Sequence, residues 1–217
     1  MDNSEIRKSK AYLFDMDGVL VDNTRFHVES WIVYARRFGR ELTPEEIKLR
    51  LGYNNAGYMA FILGRPPTPE EVADAIREKE SLYRDLFRPS LKAPPGLKEL
   101  LKRARREGVA CAVVTSGPRE NLDFVLDGLQ IREYFSLLVD AKAVQRAKPA
   151  PDCYLLASER LKIPIENCIV FEDALAGIEA GLSAGARVVA VTTTYPADFL
   201  ESKHPHRIID SFSELLD

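Results

Sequence analysis

From residue 97 onward, helix-like and strand-like segments alternate, and this alternation restricts the fold of the chain more than any other feature. Apolar residues recur at helical spacing at Leu97, Leu100, Leu101 and Ala104, and Gly108 ends that segment. Residues 109–116 (VACAVVTS) then form a nearly continuous apolar run. Such a run is typical of a strand that is covered on both faces. The unit recurs as far as residue 194, which predicts a parallel sheet flanked by helices, with a ligand site at the carboxyl ends of its strands.

The first strand is predicted at residues 11–15, and residues 24 to about 92 have a purely helical pattern. Residues 43–46 (TPEE) and 68–71 (TPEE) each combine a hydroxyl cap, a proline at the first helical position and a glutamate three residues after the cap. We therefore expect an α/β core formed by residues 1–23 and 93–217. An inserted α-helical domain, residues 24–92, would cover the edge at which the first strand ends.

Composition and charge disfavour several classes of protein. The 217 residues include 30 basic and 33 acidic side chains, and a net charge of −3 gives no reason to expect a nucleic-acid or membrane partner. Cys111, Cys153 and Cys168 are widely spaced in apolar stretches, so neither a zinc cage nor a disulfide framework is indicated. The polar N-terminus has no apolar leader segment. We expect a cytoplasmic monomer.

Polar and charged side chains stand where the predicted strands end. In chain order they are Asp15, Asp17, Thr115, Ser116, Lys148, Glu172 and Asp173. The carboxyl ends of parallel strands gather at one edge of the sheet, so we expect these side chains to converge. Two aspartates at this spacing repel each other unless a cation lies nearby, and hard oxygen ligands suit Mg²⁺. A calcium loop is disfavoured because Val19 and Phe26 occupy two of its ligand positions.

Mg²⁺, a lysine and hydroxyl donors together suit the negative charge of a phosphoryl group in transfer. Either Asp15 or Asp17 could be the nucleophile that forms a phosphoenzyme, while the other moves protons. The non-enzymatic alternative is a module that only senses phosphate. Asp17 argues against this alternative, because a pure binder needs no acid/base there.

Four segments carry a resemblance to a known family: FDMDGVLVDN (14–23), VVTS (113–116), AKPAPDCY (147–154) and VFEDALAGIEAG (170–181). In this order they resemble the four motifs of the haloacid dehalogenase superfamily of phosphotransferases. The helical insert resembles the small cap of its β-phosphoglucomutase-like branch. The resemblance covers about residues 11–194 and implies a Rossmann-like core, a cap domain and Mg²⁺ as cofactor. A dehalogenase is disfavoured, because those relatives lack the second aspartate.

The resemblance also implies a role for each site residue. Asp15 would be the nucleophile that becomes an aspartyl-phosphate, and Asp17 the general acid/base. The residues that would hold the phosphoryl oxygens are Thr115, Ser116 through its backbone, and Lys148. Those that would bind Mg²⁺ are Asp15, Asp17 through its main-chain carbonyl and Asp173, with Glu172 close by or ligating.

The helical insert would contribute substrate contacts. His27 and Trp31 stand at positions equivalent to residues of the mutases in this branch. Tyr53, Asn54 and Asn55 offer neutral polar groups suited to sugar hydroxyls, and Asn55 stands where the mutases carry an arginine for a second phosphate. We therefore expect a phosphatase acting on a small sugar or polyol phosphate through an aspartyl-phosphate. A sugar-phosphate mutase is the alternative.

Overall fold

The computed structural model describes residues 1–48, 50 and 54–216. The chain forms two compact units, one built from Met1–Asp22 and Lys92–Asp217 and the other from Asn23–Leu91. Tyr53 lies outside the described residues. Within the described ranges, no helix is both long enough and apolar enough to cross a bilayer.

The first unit contains a six-stranded sheet in the order β3-β2-β1-β4-β5-β6, and every pair of neighbours is parallel. Its strands are β1 (Ala11–Phe14), β2 (Ala110–Val114), β3 (Leu137–Val139), β4 (Cys168–Glu172), β5 (Arg187–Val191) and β6 (Arg207–Ile209). The register pairs Phe14 with Val113 on one side and with Phe171 on the other. The residues that follow these three therefore begin at the same level of the sheet edge.

Ten α-helices complete the described chain. They are α1 (Asn3–Arg7), α2 (Thr24–Ala35), α3 (Pro44–Lys48), α4 (Asn55–Leu63), α5 (Pro69–Phe87), α6 (Leu97–Glu107), α7 (Arg119–Leu129), α8 (Asp152–Leu161), α9 (Leu175–Ala184) and α10 (Ala197–Glu201). Helices α2 to α5 form the second unit, and the others belong to the first.

The core of the first unit explains why its central strands are apolar on both faces. All four residues of β1 are buried, and Phe14 stacks on Phe171 of β4 with ring centroids 4.8 Å apart. On the other face, α9 lies close to the sheet at Gly181, where an added Cβ would come within 2.9 Å of Val188. A larger residue there would push α9 off the sheet and away from the strand ends that carry the site.

The helices of the second unit begin at the expected caps. The Thr68 hydroxyl accepts the Glu71 N–H, and the Glu71 carboxylate accepts the Thr68 N–H in return. The same reciprocal pair forms between Thr43 and Glu46. Within the second unit, Trp31 is buried and stacks on Tyr58, with the ring centroids 4.5 Å apart.

The predicted parallel sheet flanked by helices is confirmed, and the differences are local. Helix α1 and strand β6 were not predicted, because they are five and three residues long and show no clear periodicity. The predicted strand at residues 187–194 ends at Val191. Beyond its end, the hydroxyls of Thr193 and Thr194 reach the Gly18 carbonyl and the Asp173 carboxylate.

Candidate active site

Lys148 lies at the centre of the polar side chains at the carboxyl edge of the sheet. Its Nζ donates to Asp15 Oδ1 at 2.5 Å, to Glu172 Oε1 at 2.7 Å and to the Val114 carbonyl at 3.1 Å. The Lys148 side chain is only 7% exposed. An ammonium has three N–H donors, so each of them has an acceptor here. Three strand ends, those of β1, β2 and β4, are tied together by this one side chain.

Asp15 extends the sheet by one residue before the chain turns away. Its N–H donates to the Phe171 carbonyl at 3.0 Å, which continues the β1–β4 ladder and holds the carboxylate beside Lys148. Burial raises the pKa of Asp15 to about 8, and the charges of Glu172 and Asp17 act in the same direction against the Lys148 ammonium. Burial alone would lower the pKa of Lys148, but the carboxylates of Asp15 and Glu172 outweigh it and raise that pKa well above its usual value.

Glu172, the last residue of β4, is almost fully buried, with 1% of its surface exposed. Its Oε1 accepts from Lys148 and from the Tyr154 hydroxyl at 2.6 Å. Its Oε2 faces the N–H groups of Asp173 at 3.2 Å and Ala174 at 3.4 Å. Sequence reasoning missed Tyr154 as a site residue. The available signal was its place within AKPAPDCY, in the first turn of the helix that follows Lys148.

Asp173 lies against the turn that follows β1. Gly18 has φ +77°, and an added Cβ there would come within 1.9 Å of Asp173 Oδ2, so only glycine fits. The Thr194 hydroxyl donates to Asp173 Oδ2, and the Thr193 hydroxyl donates to the Gly18 carbonyl. Burial and the nearby Glu172 carboxylate raise the pKa of Asp173 well above its usual value. Thr193 and Thr194 are also site residues that sequence reasoning missed, because it placed both in a strand.

Thr115, Ser116 and Asp17 lie around the turn after β2. The Thr115 hydroxyl accepts the Gly117 N–H at 2.9 Å. A Cβ added to Gly117 would lie 3.3 Å from Thr115 Oγ1 and 3.6 Å from Asp17 Oδ2, so both side chains border this glycine. Asp17 and Ser116 are half-buried, whereas Thr115 is buried. The turn thus presents hydroxyl and carboxylate groups beside the Lys148 cluster.

The donor set of this edge fits a hard divalent cation. Asp15, Glu172 and Asp173 each offer a carboxylate oxygen, and these oxygens lie within 4.8 Å of one another. Carboxylate oxygens without sulfur or imidazole ligands favour Mg²⁺ over zinc. The close fit of Asp173 against Gly18 also brings its carboxylate next to the backbone of the Asp17–Gly18 turn.

The predicted substrate residues of the helical insert lie in the second unit. The His27 ring stacks on Tyr83 with centroids 3.8 Å apart, and His27 Nδ1 is 3.2 Å from Lys79 Nζ. Lys79 is buried, lies 4.6 Å from the Trp31 ring and pairs with Glu80 at 2.9 Å. His27 and Trp31 thus meet at Lys79.

Asn54 and Asn55 stand at the start of α4. Asn54 is the N-cap, and its Oδ1 accepts the Gly57 N–H at 2.9 Å. Asn55 is the first residue of the helix and is half-buried. A contact of Tyr53, Asn54 or Asn55 with a substrate stays a prediction.

Comparison with known families identifies this architecture. The model of the haloacid dehalogenase-like hydrolases matches residues 9–185, which include β1, the helical insert and the strand ends that carry the polar cluster. The chain belongs to this family. The resemblance drawn from the four motifs is therefore confirmed, and the chain is an enzyme of the hydrolase class.

Relatives in the haloacid dehalogenase-like family have varied names. The chain is 35% identical to Hexitol phosphatase A of Escherichia coli (strain K12) over 195 residues, which cover 88% of this chain and 86% of that protein. It is 31% identical over 213 residues to Protein SUPPRESSOR OF QUENCHING 1, chloroplastic, of Arabidopsis thaliana, covering 96% of this chain but only 20% of that protein. A crystal structure of beta-phosphoglucomutase from Clostridium difficile superposes with a TM-score of 0.83 at 26% identity, covering 95% of this chain and 93% of that one.

Proposed function

We propose that the protein is a Mg²⁺-dependent phosphatase that hydrolyses a small phosphomonoester, a sugar or polyol phosphate, through an aspartyl-phosphate. The observation that carries this proposal is the buried group of Asp15, Lys148, Glu172 and Asp173 at the edge of the sheet. A nucleophile, a cation for phosphoryl oxygens and oxygen ligands for Mg²⁺ are the parts that phosphoryl transfer requires. The similarity to Hexitol phosphatase A supports the choice of substrate class.

In the first step, an Asp15 carboxylate oxygen attacks phosphorus and the ester P–O bond breaks. Asp17 gives its proton to the departing alcohol oxygen, so that the products are an acylphosphate on Asp15 and a neutral alcohol. In the second step, Asp17 takes a proton from water, whose oxygen attacks phosphorus. The bond between phosphorus and the Asp15 oxygen breaks, releasing phosphate and the free carboxylate.

The remaining core residues would stabilise the phosphoryl group. Lys148, the Thr115 hydroxyl and the Ser116 backbone would donate to its oxygens. Asp15, Asp173 and the main-chain carbonyl of Asp17 would hold Mg²⁺, with Glu172 beside them. When bound, Mg²⁺ supplies positive charge that favours the ionised form of Asp15 and offsets negative charge on the phosphoryl oxygens.

The second unit would supply the contacts that select the substrate. The proposed substrate residues are His27, Trp31, Tyr53, Asn54 and Asn55. The neutral polar groups of Tyr53, Asn54 and Asn55 suit hydroxyl groups. A sugar-phosphate mutase is the second candidate, favoured by the structural similarity to beta-phosphoglucomutase. The amide at Asn55 argues against it, because a mutase must hold a second phosphate.

The deciding experiment measures phosphate release from a panel of sugar phosphates, polyol phosphates, nucleotides and pyrophosphate, with Mg²⁺ or with a chelator. We expect Mg²⁺-dependent release from sugar or polyol phosphates by the wild type and none by Asp15→Asn. Turnover that survives this substitution or chelation would overturn the proposal. Turnover of a hexose 1-phosphate that requires a sugar bisphosphate primer would establish the mutase instead.

A further inference from the structure

Three consecutive threonines, residues 192–194, follow β5, and each hydroxyl donates to an acceptor in a different part of the first unit. In chain order the acceptors are Asp210 Oδ1 at 2.6 Å, the Gly18 carbonyl and Asp173 Oδ2. The first of these acceptors follows β6, the second follows β1 and the third follows β4. Strand β4 lies between β1 and β5 in the sheet, so the middle hydroxyl reaches past a neighbouring strand to the turn after β1.

That turn carries Asp17, the proposed general acid/base. Within the turn, the Leu20 N–H donates to the Met16 carbonyl at 2.9 Å, and Asp17 forms a backbone bridge with Val21. Gly18 has φ +77°, a left-handed backbone. Because glycine has more backbone freedom than any other residue, a hydrogen bond from outside the turn to the Gly18 carbonyl restricts the turn to one geometry.

We infer that Thr193 is a positioning residue that holds the Asp17 carboxyl in place for proton transfer. Thr193 anchors the residue directly after Asp17. The Asp17 side chain borders Gly117, where an added Cβ would lie 3.6 Å from Asp17 Oδ2. The inference rests on the proposed function and deepens it, because it names a contact on which protonation of the leaving group depends.

The nucleophile is held by other contacts. The Asp15 N–H donates to the Phe171 carbonyl, and the Asp15 carboxylate accepts from Lys148. Loss of the Thr193 hydroxyl should therefore loosen Asp17 while the attacking group stays in place. A catalytic group displaced by about 1 Å can cost roughly 100-fold in rate, so a partial loosening of Asp17 is measurable.

The test compares a substrate whose leaving group needs a proton with one whose leaving group needs none. The first is the sugar or polyol phosphate that the wild type hydrolyses fastest in the panel above. The second is p-nitrophenyl phosphate, because p-nitrophenolate leaves as a stable anion. The measured quantity is kcat/KM at saturating Mg²⁺, since it reports binding and the first step and excludes the attack of water on the phosphoenzyme.

Thr193→Val keeps a side chain of similar shape but removes the hydroxyl. We expect kcat/KM for the sugar or polyol phosphate to fall about 10-fold and that for p-nitrophenyl phosphate to fall less than about threefold. Thr193→Ser restores the hydroxyl and should recover most of the loss. Thr193→Ala is the second variant if Thr193→Val folds poorly, and melting temperatures show that each variant is folded in the assay.

The matched control is Thr192→Val, which removes a hydroxyl of the same kind, bonded to Asp210 rather than to Gly18. It should leave the ratio of the two kcat/KM values as in the wild type. Equal losses for the two substrates in Thr193→Val, or no loss for either, would overturn the inference alone. A change of ratio in Thr192→Val as large as that in Thr193→Val would do the same. A wild type that releases phosphate from neither substrate, or whose turnover survives Asp15→Asn, would overturn the proposed function and the inference together.

Discussion

The Lys148 ammonium lies between the buried carboxylates of Asp15 and Glu172 and pairs with both. Removing one member of a buried charged group leaves the others unpaired, which costs more than the pair contributes when intact. The arrangement is therefore sensitive to the loss of this one side chain, in stability as well as in activity.

For Lys148→Met we expect the free energy of unfolding at pH 8 to fall by about 3–5 kcal/mol in the absence of Mg²⁺. The loss should be smaller at pH 6, because Asp15, whose pKa burial raises to about 8, is then protonated and no longer repels Glu172. Urea denaturation at the two pH values measures both quantities. Equal stability of variant and wild type at pH 8 would contradict the central place given to Lys148.

Gly18 is the second residue on which the site depends, since it combines a left-handed backbone with direct contact to Asp173. Gly18→Ala should lower the free energy of unfolding by about 3 kcal/mol or more and weaken Mg²⁺ binding. The control is Gly108→Ala, because Gly108 has φ +70° with open space around it and should cost only about 1–2 kcal/mol. Urea denaturation and calorimetry give the two readouts. Similar losses of stability in the two variants would show that the contact with Asp173 has no effect.

At the scale of elements, the edge strand β6 is joined to β5 through a histidine. The ring Nδ1 of His206 accepts the Val188 N–H at 3.1 Å, and the backbone N–H of His206 donates to the Val188 carbonyl at 2.9 Å. Burial, with the charges of Arg187 and the N-terminus, lowers the pKa of His206 below its usual value. Only the neutral ring can accept the Val188 N–H, so protonation removes one of the two bonds.

The pH dependence of this contact has a definite sign. Below about pH 6.5 the unfolded chain binds a proton at His206 more readily than the folded protein does, so this residue lowers the stability as pH falls. His206→Asn keeps an acceptor without the titration and should reduce the loss of melting temperature between pH 7 and pH 5.5. The control is His204→Asn, two residues earlier in the chain. It leaves the contact between His206 and the Val188 N–H in place and should show the same loss as the wild type. If His206→Asn lost as much melting temperature between pH 7 and pH 5.5 as the wild type, the role given to His206 would be wrong.

At the scale of the whole molecule, the acidic cluster links stability to pH in the opposite direction. The pKa of Asp15 is raised to about 8 and that of Asp173 is raised well above its usual value. The folded protein keeps these protons at a pH where the unfolded chain has lost them. This contribution to stability is therefore present at low pH and is lost as pH rises toward about 8.

Saturating Mg²⁺ should accordingly raise the melting temperature more at pH 8 than at pH 6, because protons compete with the cation for the same oxygens. Thermal denaturation with Mg²⁺ or with a chelator at each pH measures the difference. Asp173→Asn is the control and should show little gain at either pH. An equal gain at both pH values in the wild type would contradict the linkage between the cluster and the cation.

The α/β fold could be predicted from the sequence, because a strand covered on both faces is apolar throughout and a surface helix has a stripe of apolar residues. The convergence of Asp15, Lys148, Glu172 and Asp173 also followed, since parallel strands end at one edge. Their catalytic and metal-binding roles stay predictions. Helix α1 and strand β6 were beyond prediction, as five and three residues are too few to show a period.

The tertiary structure alone decided which groups share each hydrogen bond. Tyr154 meets Glu172, and Thr194 meets Asp173, across 18 and 21 residues of chain. These contacts depend on how α8 packs on the sheet and on where β5 ends. No local sequence pattern encodes a contact between residues so far apart in the chain. The sequence by itself determined which charged groups reach the edge of the sheet. The packing of helices and turns determined the donor from which each carboxylate accepts, because that packing brings together groups that are distant along the chain.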